Sequence, residues 1–177
     1  MTATSEFSRP IAIPEALANG PVHRAIEATD AEREALARRF GLEALDELRA
    51  TFDLLEVDGG AVVTGEVTAH VAQACVISLE PVRSHIRADV DVVFLPDPPE
   101  VESDTDEEAT ESDPPERLPD DGIVDLGELA AQYMALALDP YPRHPDATLP
   151  GGTAAAEAPA GPFAALAALK PKPRERR

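Results

Sequence analysis

Two long runs of alternating apolar and polar residues constrain the fold of this chain more than any other feature of its sequence. The first run covers residues 63–79 and the second covers residues 82–94, with Glu80 and Pro81 between them. A period of two places the apolar side chains on one face of a β-strand and the polar ones on the other. The runs therefore predict two long antiparallel strands with one buried and one solvent-facing side. Because the first run is long for one strand, a bend or bulge is expected near Gly65 or residues 72–74.

Three further segments have strand character. Residues 45–57 have a strand pattern and lead into Asp58-Gly59-Gly60, which is a typical hairpin turn. Shorter strands are predicted over residues 7–13 and 22–26, where prolines favour an edge position and the intervening residues form a loop. The three long runs together predict an antiparallel meander that needs helices over its apolar face.

Two helices have clear boundaries in the sequence. Thr29 followed by Glu32 forms a capping box, and the helix that it starts should end at Gly41. Asp125 is the predicted N-cap of a helix over residues 127–138. The predicted fold class is therefore α+β: an antiparallel β-meander or partial barrel with one or two covering helices.

Composition divides the chain into a folded part and accessory segments. Residues 1–145 are predicted to form a single α+β domain. Within it, residues 97–121 hold twelve carboxylates, one arginine and five prolines, which predicts a disordered acidic insertion or spacer. Residues 146–161 should be a flexible linker, and residues 162–177 a short helix with a basic tail.

The charge of the chain is unevenly distributed. The formal net charge is -19, but the last eight residues carry a net +4, so the other 169 residues carry -23. An acidic body repels phosphate and favours basic partners, whereas the tail is suited to contact RNA. The candidate RNA-contacting residues are Lys170, Lys172, Arg174, Arg176 and Arg177.

No constellation for catalysis or metal binding is recognised. Cys75 is the single cysteine, it lies on the apolar side of its strand, and the four histidines lack zinc-ligand spacing. His70 and His85 are expected as exposed residues on neighbouring strands, where they can meet. No enzyme activity, cofactor, metal or small-molecule substrate is therefore predicted. Asp89 and Asp91 share a strand face, which leaves a metal-dependent nuclease as an alternative.

Segments that direct a protein to a membrane are not recognised. The first residues contain no apolar run of signal-peptide length, and no stretch approaches the roughly 18 apolar residues needed to cross a bilayer. We therefore expect a cytoplasmic protein with no membrane partner.

Two segments together carry a family resemblance. The first runs from Gly65 to Val82 and contains the strand end ACVISLEPV. The second runs from Ile123 to Pro145 and contains IVDLGEL and LALDPYPRHP. With the closing PFAALAALK, they resemble the YceD-like family of large ribosomal RNA subunit accumulation proteins over roughly residues 7–170. The strand end departs from the C-x-x-C of many members, because Ser78 replaces the second cysteine, which disfavours a thiolate zinc site.

The resemblance implies a non-enzymatic role in bacterial ribosome biogenesis, in which the protein supports synthesis, processing or stability of large-subunit (23S) ribosomal RNA. The positions that match the family's recurring residues are candidates for partner binding. They are Cys75, Glu80, Pro81, Asp125, Leu126, Tyr141, Pro142 and Arg143. Residues 141–145 should run extended, either as a docking motif or, as we favour, as a strap across the sheet.

Charge and resemblance together predict the partners. The acidic body is expected to bind basic ribosomal proteins or assembly factors, and the basic tail is expected to reach ribosomal RNA. An acidic protein-binding adaptor unrelated to ribosomes is a second alternative.

Overall fold

The computed structural model describes residues 5–99 and 114–148. These residues form an α+β fold, which confirms the predicted class. In chain order the elements are β1 (Pro10–Ala12), α1 (Ile13–Leu17), β2 (Val22–Glu27), α2 (Asp30–Phe40), β3 (Ala44–Val57), β4 (Gly60–Ala74), β5 (Pro81–Leu95), β6 (Glu116–Arg117), β7 (Ile123–Asp125) and α3 (Leu126–Leu136).

The main sheet has five strands in the order β2-β3-β4-β5-β6. The pairs from β2 to β5 are antiparallel neighbours in sequence, so they form the predicted meander, and β6 pairs with β5 in parallel. The β3–β4 turn places Asp58 at φ 45° and Gly59 at φ 77°, the positive values that a two-residue hairpin turn requires. A small second sheet pairs β1 with β7, and the main sheet does not close into a barrel.

One face of the main sheet carries the apolar core. Alternate residues of β4, such as Val63, Val67 and Val71, are buried there together with Leu36 of α2 and Met134 of α3. The three described helices α1, α2 and α3 contribute to this cluster, where the sequence predicted one or two covering helices. The opposite face, called the open face below, is polar and solvent-accessible, as the alternation predicts.

The ends of the helices follow the predicted capping chemistry. Thr29 accepts a hydrogen bond from the Glu32 N–H while the Glu32 side chain accepts from the Thr29 N–H, which completes the capping box. Gly41 ends α2 in the left-handed conformation at φ 66°. Asp125 caps α3 by accepting from the N–H groups of Gly127 and Glu128. Both N-caps are therefore the predicted residues, whereas α3 spans Leu126–Leu136 and ends two residues before the predicted end at residue 138.

Several local predictions were wrong. The predicted strand 7–13 is only the short β1, and α1 follows it because Pro14 lies in the first helical turn, where a missing N–H costs nothing. The irregularity expected in β4 lies instead in β3, between Leu45 and Glu47. The strand predicted to reach residue 79 ends at Ala74, and the chain then turns.

The structure describes the two ends of the predicted acidic insertion 97–121. Residues 100–113 lie outside the described part of the chain. At its carboxyl end, Glu116 and Arg117 form β6 beside Phe94 and Leu95 of β5, and Leu118 is buried in the core. The end of this segment is therefore structured, because the apolar Leu118 anchors it to the sheet. The predicted linker beyond residue 148, the short helix and the basic tail also lie outside the described residues.

The N-terminal segment is tied to both long helices. Asp125 accepts hydrogen bonds from the Ser8 hydroxyl at 2.6 Å and from the Arg9 N–H at 2.7 Å. The Arg9 guanidinium binds the Glu32 carboxylate of α2 through two contacts of 2.8 and 3.0 Å. These contacts hold residues 8 and 9 between the starts of α2 and α3.

A second ion pair joins the two helices directly. Arg39 of α2 donates to Glu128 of α3 through contacts of 2.9 and 2.6 Å. The hydrogen bond to Arg39 lowers the pKa of Glu128 to about 2, and the hydrogen bond to Arg9 lowers the pKa of Glu32 to about 2. Both carboxylates therefore favour the folded state more strongly when they are ionised.

These depressed pKa values predict acid sensitivity. When the pH is above about 4.3, the pKa of glutamate in the unfolded chain, the two ionised carboxylates contribute their full stabilisation of the fold. That stabilisation is lost as the pH falls through their folded-state pKa of about 2. Arg39→Gln should therefore destabilise the domain by about 1 kcal/mol at pH 7 and by much less near pH 2, since partly exposed pairs are screened by solvent. Urea denaturation across this pH range measures both values.

Arg38→Gln is the matched control for this experiment. Arg38 is exposed in the same helical turn and forms no ion pair with a described residue. An equal pH dependence of the two variants would contradict the role assigned to the Arg39–Glu128 pair.

Candidate functional site

The turn between β4 and β5 and the segment after α3 form one structural unit, here called the turn–strap region (residues 75–80 and 139–144). The Val76 N–H donates to the Pro142 carbonyl at 2.9 Å, and the Gln73 side-chain amide donates to the Asp139 carbonyl at 2.9 Å. Pro142 is buried by these contacts. Residues 139–142 therefore lie beside the end of β4 and the turn, so the predicted strap is at the end of the sheet and not across it.

The Cys75 thiol lies at the centre of this region. It is fully buried, and its Sγ accepts N–H hydrogen bonds from His144 at 3.3 Å and from Ile77 and Ser78 at 3.4 Å. These donors, led by the His144 N–H, lower the pKa of Cys75 to about 6. With the sulfur already accepting three hydrogen bonds and no second thiolate beside it, the arrangement is suited to joining the strap to the turn and does not fit a thiolate zinc site.

Apolar side chains are exposed around this buried thiol. Val76 is 48% exposed, Leu79 is 76% exposed and Tyr141 is 70% exposed. Leu79 also has a φ of 62°, an unusual value for a non-glycine residue. Exposed apolar surface in one place marks contact sites more often than scattered single residues do.

The structure brings together six of the eight residues predicted to contact a partner. Cys75, Glu80 and Pro81 lie in or beside the turn, and residues 141–143 lie on the strap; of these, Glu80, Pro81, Tyr141 and Arg143 are exposed. Asp125 and Leu126 are at the opposite end of α3, as its N-cap and as a buried core residue. Their hydrogen bonds and burial give these two a role in the fold itself.

The open face presents a second arrangement of charge. Cross-strand pairing aligns Asp53 with Thr64 and Asp91, and in the next row aligns Thr51 with Glu66 and Asp89. The four carboxylates of Asp53, Glu66, Asp89 and Asp91, here called the acidic band, therefore occupy two adjacent rows. Glu66 pairs with Arg87, and Asp53 contacts His23 at 2.9 Å, whereas Asp89 and Asp91 form no ion pair with a described residue.

An apolar row borders the acidic band. Leu55 pairs with Val62, and Val62 pairs with Val93, on the same face and one row beyond Asp53 and Asp91. Leu55 is 48% exposed, and the two valines are partly exposed. Carboxylates beside aliphatic side chains suit the alkyl stems and charged ends of lysine and arginine.

The histidine pair lies at the other end of the open face. His70 and His85 are register partners with ring centroids 4.7 Å apart, which confirms that they meet across the hairpin. Within the described residues, no group of three or more His, Cys, Asp or Glu side chains could hold a metal ion. Asp89 and Asp91, the residues of the nuclease alternative, thus lie in the acidic band without a described third ligand.

Sequence reasoning missed several residues of these two surfaces. Val76 and Leu79 were assigned to a strand, so their exposure in a turn was not expected. Asp53 and Glu66 were not selected, although the period-two pattern already placed Glu66 on the polar face. Their alignment with Asp89 and Asp91 depends on strand register. The hairpin turn signal at residues 58–60 could have supplied the β3–β4 register, but the β4–β5 register is set by the turn after Ala74, whose start was not predicted.

Comparison with known proteins identifies the family. The family model described as large ribosomal RNA subunit accumulation protein YceD matches residues 63–170, which is more than half of the chain. The chain belongs to the YceD family. Searches of the curated proteins and of the solved structures gave no match. Membership indicates a role in accumulation of large-subunit ribosomal RNA, and the family is named as an accumulation factor and not as an enzyme.

The YceD match can be placed on the structure. It begins within β4 and includes the turn, β5, α3 and the strap, so the whole turn–strap region lies inside it. The strands β2 and β3 precede the match, although β3 pairs along the length of β4. Among the residues that the structure describes, no helix is long and apolar enough to cross a membrane.

Proposed function

We propose that this YceD-family protein supports accumulation of large-subunit ribosomal RNA by binding a basic ribosomal protein or assembly factor in the cytoplasm. The observation that carries the proposal is the family match over residues 63–170. The acidic body of the chain adds to it, because ribosomal RNA repels a surface with this charge whereas basic proteins are attracted.

The acidic band is the proposed contact surface for the basic partner. Asp89 and Asp91 have no described ion-pair partner, so their charges are available to an incoming lysine or arginine. The adjacent row of Leu55, Val62 and Val93 supplies apolar area beside those charges. This combination gives a charged rim and an apolar contact, as protein–protein interfaces commonly have.

The turn–strap region and the tail complete the proposal. The exposed residues Glu80, Pro81 and Arg143 provide a further contact for the assembling particle. The basic residues after position 169 are proposed to contact ribosomal RNA through phosphate, since their charge is opposite to that of the body.

Reversing charge in the acidic band tests this function. Asp89→Lys with Asp91→Lys should reduce co-purification of basic ribosomal or assembly proteins by about tenfold or more, because like charges oppose each other at the interface. In cells that carry only this variant, we expect the ratio of 23S to 16S ribosomal RNA to fall, as we also expect after deletion of the gene. Affinity purification with mass spectrometry and RNA quantification measure both.

Glu34→Lys with Glu43→Lys is the matched control, because it changes the same charge at exposed residues away from the open face. It should retain the partners and the RNA ratio. A chain that ends at residue 169 should keep the proteins but lose salt-sensitive RNA. An unchanged 23S to 16S ratio after gene deletion would contradict the family-level role, whereas full activity of the band variant would contradict only the chosen surface.

A further inference from the structure

Exposed apolar residues are concentrated at one end of the described structure. Six large hydrophobic residues are exposed in the described residues, and four of them belong to the turn, the strap or the end of α3 that leads into the strap. These four are Val76, Leu79, Leu136 and Tyr141. We call them the apolar end.

Backbone contacts place these four residues in one part of the molecule. The Val76 N–H binds the carbonyl of Pro142, the neighbour of Tyr141, and the Leu79 N–H binds the Cys75 carbonyl at 3.0 Å. Leu136 is the last residue of α3 and precedes by three residues the Asp139 carbonyl that accepts from Gln73. The turn, the strap and the end of α3 therefore lie in one part of the molecule.

The exposure of these side chains carries a cost that a bound apolar segment would remove. Leu136 is 82% exposed and Leu79 is 76% exposed, so most of each side chain contacts water. Burying a leucine side chain stabilises a contact in proportion to the apolar area that is removed from water. Four such residues in one part of the molecule favour the binding of an apolar segment.

The same chain contains a segment of the right character. Residues 162–169 read PFAALAAL, with no charged residue, and their large apolar side chains recur every three positions at Phe163, Leu166 and Leu169. A short isolated helix of this length is unstable in water and gains stability by packing. The YceD match extends through this segment to residue 170 and stops before the last seven residues, so the segment belongs to the matched unit.

The connecting chain is long enough to reach the apolar end. The described structure ends at Thr148, four residues after His144, whose N–H binds the Cys75 sulfur. The 14 residues 149–162 then lead to Phe163. A chain of this length spans about 20 Å on average if it behaves as a flexible coil, so the tethered segment has an effective concentration on the order of millimolar.

The charges around the apolar end also fit the binding of residues 162–169. Glu80, Asp139 and Asp146 are exposed carboxylates on the turn and on the segment after α3. Lys170 and Lys172 follow residues 162–169 directly. An apolar segment with lysines at its end therefore matches an apolar surface with carboxylates around it.

We propose that residues 162–169 of the same chain bind the apolar end formed by Val76, Leu79, Leu136 and Tyr141. Binding buries Phe163, Leu166 and Leu169 against these side chains and covers the turn above the Cys75 thiol. Glu80 and Arg143, which are charged, stay at the margin. The inference does not depend on which partner the acidic band binds.

A single tryptophan tests this contact, because the chain contains none. Phe163→Trp should fluoresce with the blue-shifted emission and low acrylamide quenching of a buried indole, independent of protein concentration. Adding Leu79→Asp and Tyr141→Asp should move the emission to that of the urea-denatured chain. The matched control adds Leu55→Asp and Ile123→Asp, which are the other two exposed large apolar residues, and should leave the emission unchanged.

Each other outcome would overturn the proposal. Emission of the Phe163→Trp variant equal to that of the denatured chain would mean that the segment is free. Blue-shifted emission that is lost on dilution would assign the surface to a second copy, and emission unaffected by the aspartates would place the segment elsewhere. In the chain without the introduced tryptophan, Leu166→Asp should speed hydrogen exchange of the backbone amides of residues 76–79. Unchanged exchange at these amides would also count against the contact.

Discussion

Gly65→Ala is expected to lower the free energy of unfolding by about 3 kcal/mol, the upper part of the usual range for overpacking a core. A methyl group on Gly65 would overlap the carbonyl oxygen of Thr51 on the neighbouring strand β3. Backbone atoms of a paired strand cannot rotate away as a side chain can, so β3 and β4 must separate locally. Urea denaturation followed by circular dichroism measures the loss.

Thr64→Ala is the control for this substitution, because Thr64 is the adjacent residue and points to the open face. Its expected effect is within about 0.5 kcal/mol, as for most surface substitutions away from special contacts. Equal stabilities of the two variants would show that β3 and β4 tolerate a side chain at residue 65.

Phe7→Ala is expected to destabilise the domain by about 3–5 kcal/mol, the usual cost of truncating a buried aromatic residue. Phe7 is fully buried although it precedes the first strand, and the Arg9 guanidinium lies 4.7 Å from the centre of its ring. Its carbonyl also approaches Gly127 so closely that a side chain there would overlap it. The N-terminal segment is therefore part of the core, although it lies outside the residues that the YceD model matches.

Leu55→Ala is the control for this truncation. Leu55 is 48% exposed on the open face, so its removal leaves no buried cavity and should cost about 1 kcal/mol or less. If Phe7→Ala lowered the free energy of unfolding by less than about 1.5 kcal/mol, which is half of the expected minimum, the N-terminal segment would not be packed firmly into the core.

The sequence predicted the parts of the fold that local patterns determine. Alternation over β4 and β5, the turn at Asp58-Gly59 and the capping residues Thr29, Gly41 and Asp125 all act within a few residues of the structure that they specify. These signals were sufficient for the meander, for the buried and open faces and for both long helices.

The parts that sequence reasoning missed depend on distant contacts. The apolar alternation continues through Ile77, but the chain turns after Ala74 because Pro142 and His144, far along the chain, hydrogen bond to Val76 and Cys75. The two residues of β6 carry no strand pattern of their own and pair because Leu118 is buried beside them. Neither outcome is encoded in a local window.

The residues of the candidate surfaces were also predicted only in part. The resemblance selected Cys75, Tyr141 and Pro142, and the structure places them together at the end of β4. It did not separate residues that contact solvent from Asp125 and Leu126, since a recurring residue can serve the fold as well as a partner. The acidic band required the strand register, so Asp53 and Glu66 were found only from the structure.

The pairing of β1 with β7 has a consequence for how the chain folds during synthesis. Pro10 lies opposite Asp125, so β1 leaves the ribosome more than a hundred residues before its partner is made. Contacts this distant in sequence raise the contact order and slow folding, because a long loop must close before they form. Until Asp125 has emerged, the Ser8 hydroxyl and the Arg9 N–H lack their hydrogen-bond acceptor, and Phe7 lacks its contact with Gly127 of α3. The nascent protein is thus expected to assemble its β3–β4–β5 meander first and to acquire its N-terminal segment last.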